Sequence, residues 1–273
     1  MSPEIDPAAL AARRVVYDMP GEVIQTAARY QAADGTWQPM DIYCHAARRA
    51  GIPAPAVVIV TGYPDAGVRR IFGRNAKDFG STISWAELLA RSGLAAIAYV
   101  NTNPVEDVHA AISYVRRHAT EFEIDADRIG VWSCSGNVPN ALAALMQPAR
   151  SPIRCGALLY GYMLDLDGST TVQAMSKFGF VTPAQGKTVA DLPPDLPLFI
   201  ARAGLDEMPR LNETLDAFVT RALAANLPLI LVNHHRGPHA FDIVDASDAS
   251  QFAIRQVLAF FRAQLGSADD VRF

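Results

Sequence analysis

The chain reads Gly130-Val-Trp-Ser-Cys-Ser-Gly-Asn137 at the point that decides its fold. The apolar run 128–132 predicts a buried strand, and the small residues that follow predict a sharp turn. A helix is predicted directly after the turn, from Gly136 to Met146. A side chain at such a strand-to-helix bend projects away from both elements, so the bend is a typical place for a nucleophile.

Three neighbouring residues compete for the nucleophile position: Ser133, Cys134 and Ser135. Strand and helix crowd together at such a bend, so the residues two places before and after the nucleophile must be small. The cysteine would be flanked by Trp132, which is too large, and the first serine by the branched Val131. Ser135 has a serine and Asn137 as its flanks, so the sequence favours Ser135.

The bend departs from the common pattern Gly-x-Ser-x-Gly, because Ser133 and Asn137 stand where the two glycines are expected. Asparagine tolerates unusual backbone angles better than most residues. Gly136 leaves the backbone free to turn and to present its N–H. The alternative interpretation is an ordinary helix N-cap, a position that serine favours.

Short apolar runs alternate with amphipathic stretches from residue 55 onward. The strand candidates are 56–61, 94–100, 128–133, 153–160, 197–203 and 228–233, and the helix candidates are 84–91, 104–119, 136–146, 209–225 and 249–265. Near-continuous apolar runs are typical of strands buried on both faces, and their alternation with helices predicts an α/β fold with a mostly parallel, doubly wound sheet.

Two further strand candidates, 23–31 and 39–45, are separated by Asp34-Gly35, which predicts an N-terminal antiparallel hairpin. Residues 1–21 are expected to form a loosely held lead-in, and 22–273 a single domain. The stretch 161–195 interrupts the alternation and is long for a plain connection, so we expect it to be a short lid or binding insertion.

Composition narrows the class of protein. The net charge of −4 and the lack of a basic stripe argue against a nucleic-acid partner. The three cysteines show no pairing pattern, which argues against a disulfide framework or a zinc site. No run of 18 apolar residues predicts a membrane span, and no secretory signal is evident, so a cytoplasmic location is expected. Homodimerisation is left open.

An acid and a base follow the serine in chain order. Asp206 stands just past the strand candidate 197–203, at the edge where ligand sites gather in open α/β sheets. Glu207 is the alternative acid, and a turn or helix-capping role is the alternative for Asp206. Among the three histidines after the last strand, which are His234, His235 and His239, we favour His239. It lies in a Gly-Pro-containing loop that can bring a general base to the serine.

Two backbone N–H groups are needed to stabilise an oxyanion. Gly136, directly after the serine, is expected to supply one. The loop Gly62-Tyr-Pro64 follows the first parallel strand candidate, and its proline has no N–H. Tyr63 is therefore the expected second donor, and a plain turn is the alternative role of this loop.

Together these motifs resemble the α/β-hydrolase superfamily, and within it the dienelactone-hydrolase-like group. The resemblance covers residues 22–265 and rests on Gly62-Tyr-Pro, the Ser135 bend, Gly204-Leu-Asp206 and Pro238-His-Ala-Phe241. It implies a catalytic triad of Ser135, Asp206 and His239, with no metal or organic cofactor. True dienelactone hydrolases carry a cysteine nucleophile, so the serine here favours ordinary ester hydrolysis.

The sequence thus predicts a carboxylic ester hydrolase that acts on a small-molecule ester through an acyl-enzyme. Four side chains are candidates for lining the substrate pocket, although each is an equally good core residue: Tyr63, Met163, Met208 and Phe241. An acyltransferase or small peptidase with the same triad remains an alternative. A non-catalytic binding protein on the same scaffold is a further one.

Overall fold

The computed structural model describes residues 6–48, 51–150, 152–164, 175 and 177–266. Within these residues, eight strands form one sheet in the order β1-β2-β4-β3-β5-β6-β7-β8. The strands are β1 (Val23–Gln31), β2 (Trp37–His45), β3 (Ala54–Ile59), β4 (Ala95–Tyr99), β5 (Ile124–Cys134), β6 (Cys155–Leu159), β7 (Leu198–Ala203) and β8 (Leu229–His234).

Helices pack on both faces of this sheet. In chain order, the described residues include α1 (Pro7–Ala12), α2 (Asp65–Phe72), α3 (Gly80–Arg91), α4 (Pro104–Arg117), α5 (Ala119–Phe122), α6 (Val138–Leu145), α7 (Leu211–Ala224), α8 (Phe241–Val244) and α9 (Asp248–Leu265). Short 3₁₀ turns are found at Ala76–Asp78, Ser135–Asn137 and Val189–Asp191. No helix of the described residues is both long and apolar enough to cross a membrane.

The strand directions agree with the sequence analysis. β1 and β2 pair antiparallel, with Val23 opposite His45 and Gln31 opposite Trp37, around the predicted Asp34-Gly35 turn. β2 continues antiparallel to β4, and the strands from β3 to β8 pair in parallel. The predicted fold, a mostly parallel doubly wound sheet with an N-terminal antiparallel hairpin, is therefore confirmed.

The core lies on both faces of the sheet, as near-continuous apolar strands predict. Alternate side chains of β3 enter different apolar clusters, Val58 on one side and Val57 on the other. The first cluster contains residues of α4, α6 and α7, and the second contains residues of α3 and α9. Parallel strands buried in this way bring their carboxyl ends to one edge of the sheet, where the predicted site residues lie.

Two further predicted segments are the lead-in at 1–21 and the insertion at 161–195. In the described part of the lead-in, Asp6 caps α1 and the buried Val15 donates its N–H to Ser84 of α3 at 2.9 Å. A capped helix and a buried apolar side chain hold this segment against the domain. Of the predicted lid at 161–195, residues 165–174 and 176 lie outside the described residues.

Candidate active site

The bend after β5 has the geometry of a nucleophile position. Ser135 begins the turn with φ of +54°, a left-handed conformation that non-glycine residues rarely adopt. Such strain persists only where the surrounding structure enforces it, and it is often found at functional sites. Gly161 passes directly behind the bend, and a Cβ atom there would collide with Val138 and lie 2.9 Å from the Ser135 carbonyl oxygen. Close packing thus fixes the half-buried serine at the end of the strand.

Ser135, His239 and Asp206 form one hydrogen-bonded line. The Oγ atom of Ser135 lies 2.8 Å from Nε2 of His239, and Nδ1 of the same ring lies 2.7 Å from Oδ2 of Asp206. The Asp206 side chain is fully buried, whereas that of His239 is 27% exposed. The other Asp206 oxygen accepts the Met208 N–H at 2.9 Å, which fixes the carboxylate. The histidine can therefore meet both the serine and a substrate.

The loops that carry the acid and the base are joined to each other. The N–H of Gly204 donates to the His234 carbonyl at 2.8 Å, and that of Leu205 donates to the Gly237 carbonyl at 2.9 Å. These bonds extend the pairing of β7 and β8 beyond the strand ends, so Asp206 and His239 are held side by side. Their relative position follows from the sheet itself.

The alternative acid, Glu207, and the alternative bases, His234 and His235, have other surroundings. Glu207 is exposed on the surface. His234 is buried and bonds elsewhere, with Nε2 lying 2.9 Å from Oγ of Ser250 and 3.1 Å from Oδ2 of Asp245. The side chain of His235 is exposed. Among the candidates named from the sequence, the structure brings together Asp206, His239 and Ser135.

Three hydrogen bonds hold the Gly62-Tyr63 loop in place, and one of them joins it to the bend. The Gly62 N–H donates to Oδ1 of Asn137 at 2.7 Å, and the Val181 N–H donates to the Gly62 carbonyl at 2.9 Å. Asn101 donates from Nδ2 to the Tyr63 carbonyl at 3.1 Å. From the sequence, Asn137 is only a departure from the expected glycine, because the Gly-x-Ser-x-Gly motif describes backbone shape and says nothing about a side-chain acceptor.

A buried polar group lies behind the bend that carries Ser135. Tyr160 donates its hydroxyl to Oδ1 of Asp242 at 2.5 Å, and Trp85 donates from Nε1 to Oδ2 at 2.7 Å. Burial raises the pKa of the Asp242 carboxyl, while these two hydrogen bonds oppose the rise. Burial also raises the pKa of the Cys134 thiol to about 12, so this cysteine stays protonated at neutral pH.

The predicted pocket residues fall into two groups. Met163 and Phe241 are fully buried in the two core clusters, so their side chains do not form a surface that a substrate would meet. Their apolar character reflects core packing, which a sequence pattern does not separate from pocket lining. Met208 is half-buried beside the small cluster of Tyr162, Met175 and Leu211. Tyr63 is half-buried in the loop beside the bend.

Two side chains of the insertion cover the bend. A Cβ atom added to Gly136 would lie 2.7 Å from the Phe180 ring and 2.8 Å from Cε of Met175. The Phe180 ring also meets the Tyr63 ring edge-on, with centroids 5.2 Å apart. The sequence offered no signal for these residues beyond the length of the insertion. In the part of the chain that the structure describes, no group of three or more His, Cys, Asp or Glu side chains could hold a metal ion.

Comparisons with known proteins identify the fold. No model of a protein family matches the sequence, and no curated protein matches it at a significant level. Solved structures do match. An alanine-for-serine mutant of esterase Est22 has a TM-score of 0.67 at 15% identity, with 90% of this chain and 81% of that chain covered.

Two further matches are similar. A mutant of esterase rPPE has a TM-score of 0.68 at 15% identity, covering 90% of this chain and 84% of that chain. A bacterial heroin esterase has a TM-score of 0.67 at 17% identity, covering 92% of this chain and 88% of that chain. The strand order and these matches show the α/β-hydrolase fold.

Proposed function

We propose that this chain is a serine hydrolase that cleaves a carboxylic ester of a small molecule through an acyl-enzyme on Ser135. The observation that carries the proposal is the line from Ser135 Oγ through the His239 ring to Asp206, with distances of 2.8 Å and 2.7 Å. A serine is a weak nucleophile unless an adjacent base takes its proton and a third group orients that base. All three roles are filled at the carboxyl edge of the sheet.

In the proposed mechanism, Nε2 of His239 accepts the Ser135 proton as Oγ attacks the ester carbonyl. Asp206 accepts a hydrogen bond from Nδ1, which selects the tautomer with a free Nε2 and stabilises the imidazolium. The same imidazolium then protonates the departing alcohol. Water replaces the alcohol, and His239 removes a proton from it as its oxygen bonds to the acyl carbon. The bond between that carbon and Oγ then breaks, and His239 returns the proton to Oγ, which releases the acid and regenerates the serine.

The negative charge that develops on the carbonyl oxygen needs preorganised donors. We assign this role to the N–H groups of Gly136, on the bend, and Tyr63, on the neighbouring loop. The hydrogen bond between Gly62 and Asn137 ties the loop to the bend and supports this assignment. Tyr63 and Met208 remain proposed pocket residues, together with Phe180.

The similar structures support ester chemistry, because those described above are esterases. The serine-to-alanine change in one of them is consistent with serine as the nucleophile of that protein. A dienelactone-hydrolase-like subtype stays a prediction, as do a homodimer and a cytoplasmic location. An acyltransferase or peptidase would share the triad, and product analysis with added alcohols or amines separates these activities from hydrolysis.

The test is hydrolysis of p-nitrophenyl acetate by the wild-type chain and by the Ser135→Ala variant. We expect kcat to fall by about 10⁴- to 10⁶-fold, the range of losses seen when one triad member is changed. Ser113→Ala, in α4, serves as a matched control. A fluorophosphonate probe should label the wild type but not Ser135→Ala. Full activity in that variant would rule out this nucleophile, and an unlabelled, inactive wild type would favour a binding protein.

A further inference from the structure

Asn137 occupies the place of a glycine in the bend, but its backbone does not require one. Its φ of −82° and ψ of −19° are ordinary helical values. The residue directly precedes α6, yet its side chain makes no capping hydrogen bond to that helix. Neither backbone shape nor helix capping accounts for the asparagine, so its side-chain contacts have to.

The amide of Asn137 joins two segments. Its Oδ1 accepts the N–H of Gly62 at 2.7 Å, which links the bend to the neighbouring loop. The backbones are in close contact here, since a Cβ atom on Gly62 would lie 3.0 Å from Asn137 Cα and 3.2 Å from the Gly136 carbonyl oxygen.

The hydrogen bond between Gly62 and Asn137 joins the two residues that are next in sequence to the proposed oxyanion donors. Asn137 directly follows Gly136, and Gly62 directly precedes Tyr63. The peptide between Gly62 and Tyr63 is planar and trans, so its C=O and N–H point in opposite directions. Val181 holds that C=O, and Asn137 holds the N–H of the peptide before it. Two successive peptides are thereby fixed, and with them the direction of the Tyr63 N–H.

We infer that Asn137 is a positioning residue that sets the distance and direction between the two oxyanion donors. This inference rests on the proposed function. Asn137 itself touches neither the triad nor the reacting atoms in this account. It acts through Gly62, and its contribution is therefore expected in the transition state, where the oxyanion exists, and not in the binding of the uncharged ester.

The experiment compares Asn137→Gly with the wild type on p-nitrophenyl acetate, with active sites titrated by a fluorophosphonate. Loss of a whole donor costs about 10²- to 10³-fold in kcat, so a loosened donor should cost about 10- to 100-fold. KM should stay within about threefold. The matched control is Asn226→Gly, an exposed residue with φ of +55° at which glycine is unstrained.

A second readout separates positioning from general damage. Phenylboronic acid forms a tetrahedral adduct with the serine and should lose affinity in Asn137→Gly by a factor similar to the loss in kcat. The matching ether, p-nitrophenyl ethyl ether, lacks the carbonyl and should keep its inhibition constant. The inhibition constants of the boronic acid and of the ether both describe binding to the folded protein, so partial unfolding does not change them. If Asn137→Gly does not fold, Asn137→Ala, a better helix former, is measured in its place.

Wild-type kcat in Asn137→Gly, or a lower kcat with unchanged boronic acid affinity, would overturn the inference. Either outcome leaves the proposed function intact as long as the wild type hydrolyses the ester and Ser135→Ala does not. A wild type that hydrolyses no ester and binds no boronic acid would instead refute the proposed function.

Discussion

The hydroxyl of Tyr160 donates a hydrogen bond of 2.5 Å to Oδ1 of Asp242, and the Tyr160 ring meets the His239 ring edge-on with centroids 5.2 Å apart. The carboxyl therefore lies in the layer directly behind the proposed base. Its second oxygen is held by Trp85, so each oxygen has a donor. Removing either donor leaves a buried acceptor unpaired, which costs more than the net value of the bond itself.

The first prediction concerns Tyr160→Phe. Burial places the pKa of Asp242 above its value in the unfolded chain, so the folded state binds the proton more tightly. The free energy of unfolding therefore falls as the pH rises from the unfolded pKa through the folded pKa. Loss of the Tyr160 donor raises the pKa further. We expect a loss of about 2–3 kcal/mol in the free energy of unfolding at pH 7. The loss should be smaller at pH 5, as measured by urea denaturation.

Tyr162→Phe is the matched control for this variant, because the Tyr162 hydroxyl donates to the neutral carbonyl of Pro209 at 2.9 Å. Its effect on the free energy of unfolding should not depend on pH between 5 and 7. An equally pH-independent loss in Tyr160→Phe would show that Asp242 does not change its charge in this range.

The second prediction concerns Cys134, the neighbour of the proposed nucleophile. Burial raises the pKa of its thiol to about 12, so almost no thiolate is present at pH 8. Since the thiolate is the reactive form, iodoacetamide should not inactivate the protein. Cys134→Ala should keep kcat within about tenfold of the wild type, because the thiol has no part in the proposed triad and a tenfold change is only about 1.4 kcal/mol in activation free energy. Rapid inactivation that is absent in Cys134→Ala would contradict this and point to cysteine chemistry.

The third prediction concerns the length of the acyl chain. Phe180 packs on Gly136 and Tyr63, so we expect its ring to limit the space beside the proposed oxyanion donors. In Phe180→Ala, the ratio of kcat/KM for p-nitrophenyl octanoate to that for the acetate should rise about tenfold or more, since each added methylene contributes about 1–3 kcal/mol in an apolar pocket.

Phe178→Ala is the control for this prediction, because Phe178 belongs to the same segment but is 47% exposed. It should leave the ratio unchanged. If both variants changed the ratio equally, loosening of the segment as a whole would explain the result and Phe180 would have no specific role.

The sequence predicted the fold because parallel strands alternate with helices and place their carboxyl ends at one edge. That geometry alone brings the ends of β5, β7 and β8 together, and with them Ser135, Asp206 and His239. The roles of these residues remain proposals. Their proximity was expected because each follows a predicted parallel strand and because the resemblance to α/β hydrolases implies a triad of these residues.

The contacts of individual side chains could not be predicted from the sequence. In the sequence Asn137 is a poor match to glycine, because no local pattern indicates that its side chain accepts the N–H of the distant Gly62. Met163 and Phe241 were candidates for the pocket, yet both are core residues, since apolar character is the same in either place. Phe180 lies in an irregular segment whose path over the bend has no periodic signal.

The separation of Ser135 from His239 along the chain has a consequence for folding. Ser135 and His239 are 104 residues apart, and the base follows β8, the strand at the edge of the sheet. Bringing together residues so distant costs loop-closure entropy, so we expect this contact to form late in folding. During synthesis the serine is therefore made well before its base, and on the proposed mechanism it stays an ordinary alcohol until β8 docks on β7. The appearance of probe labelling during refolding would then time the arrival of the last strand.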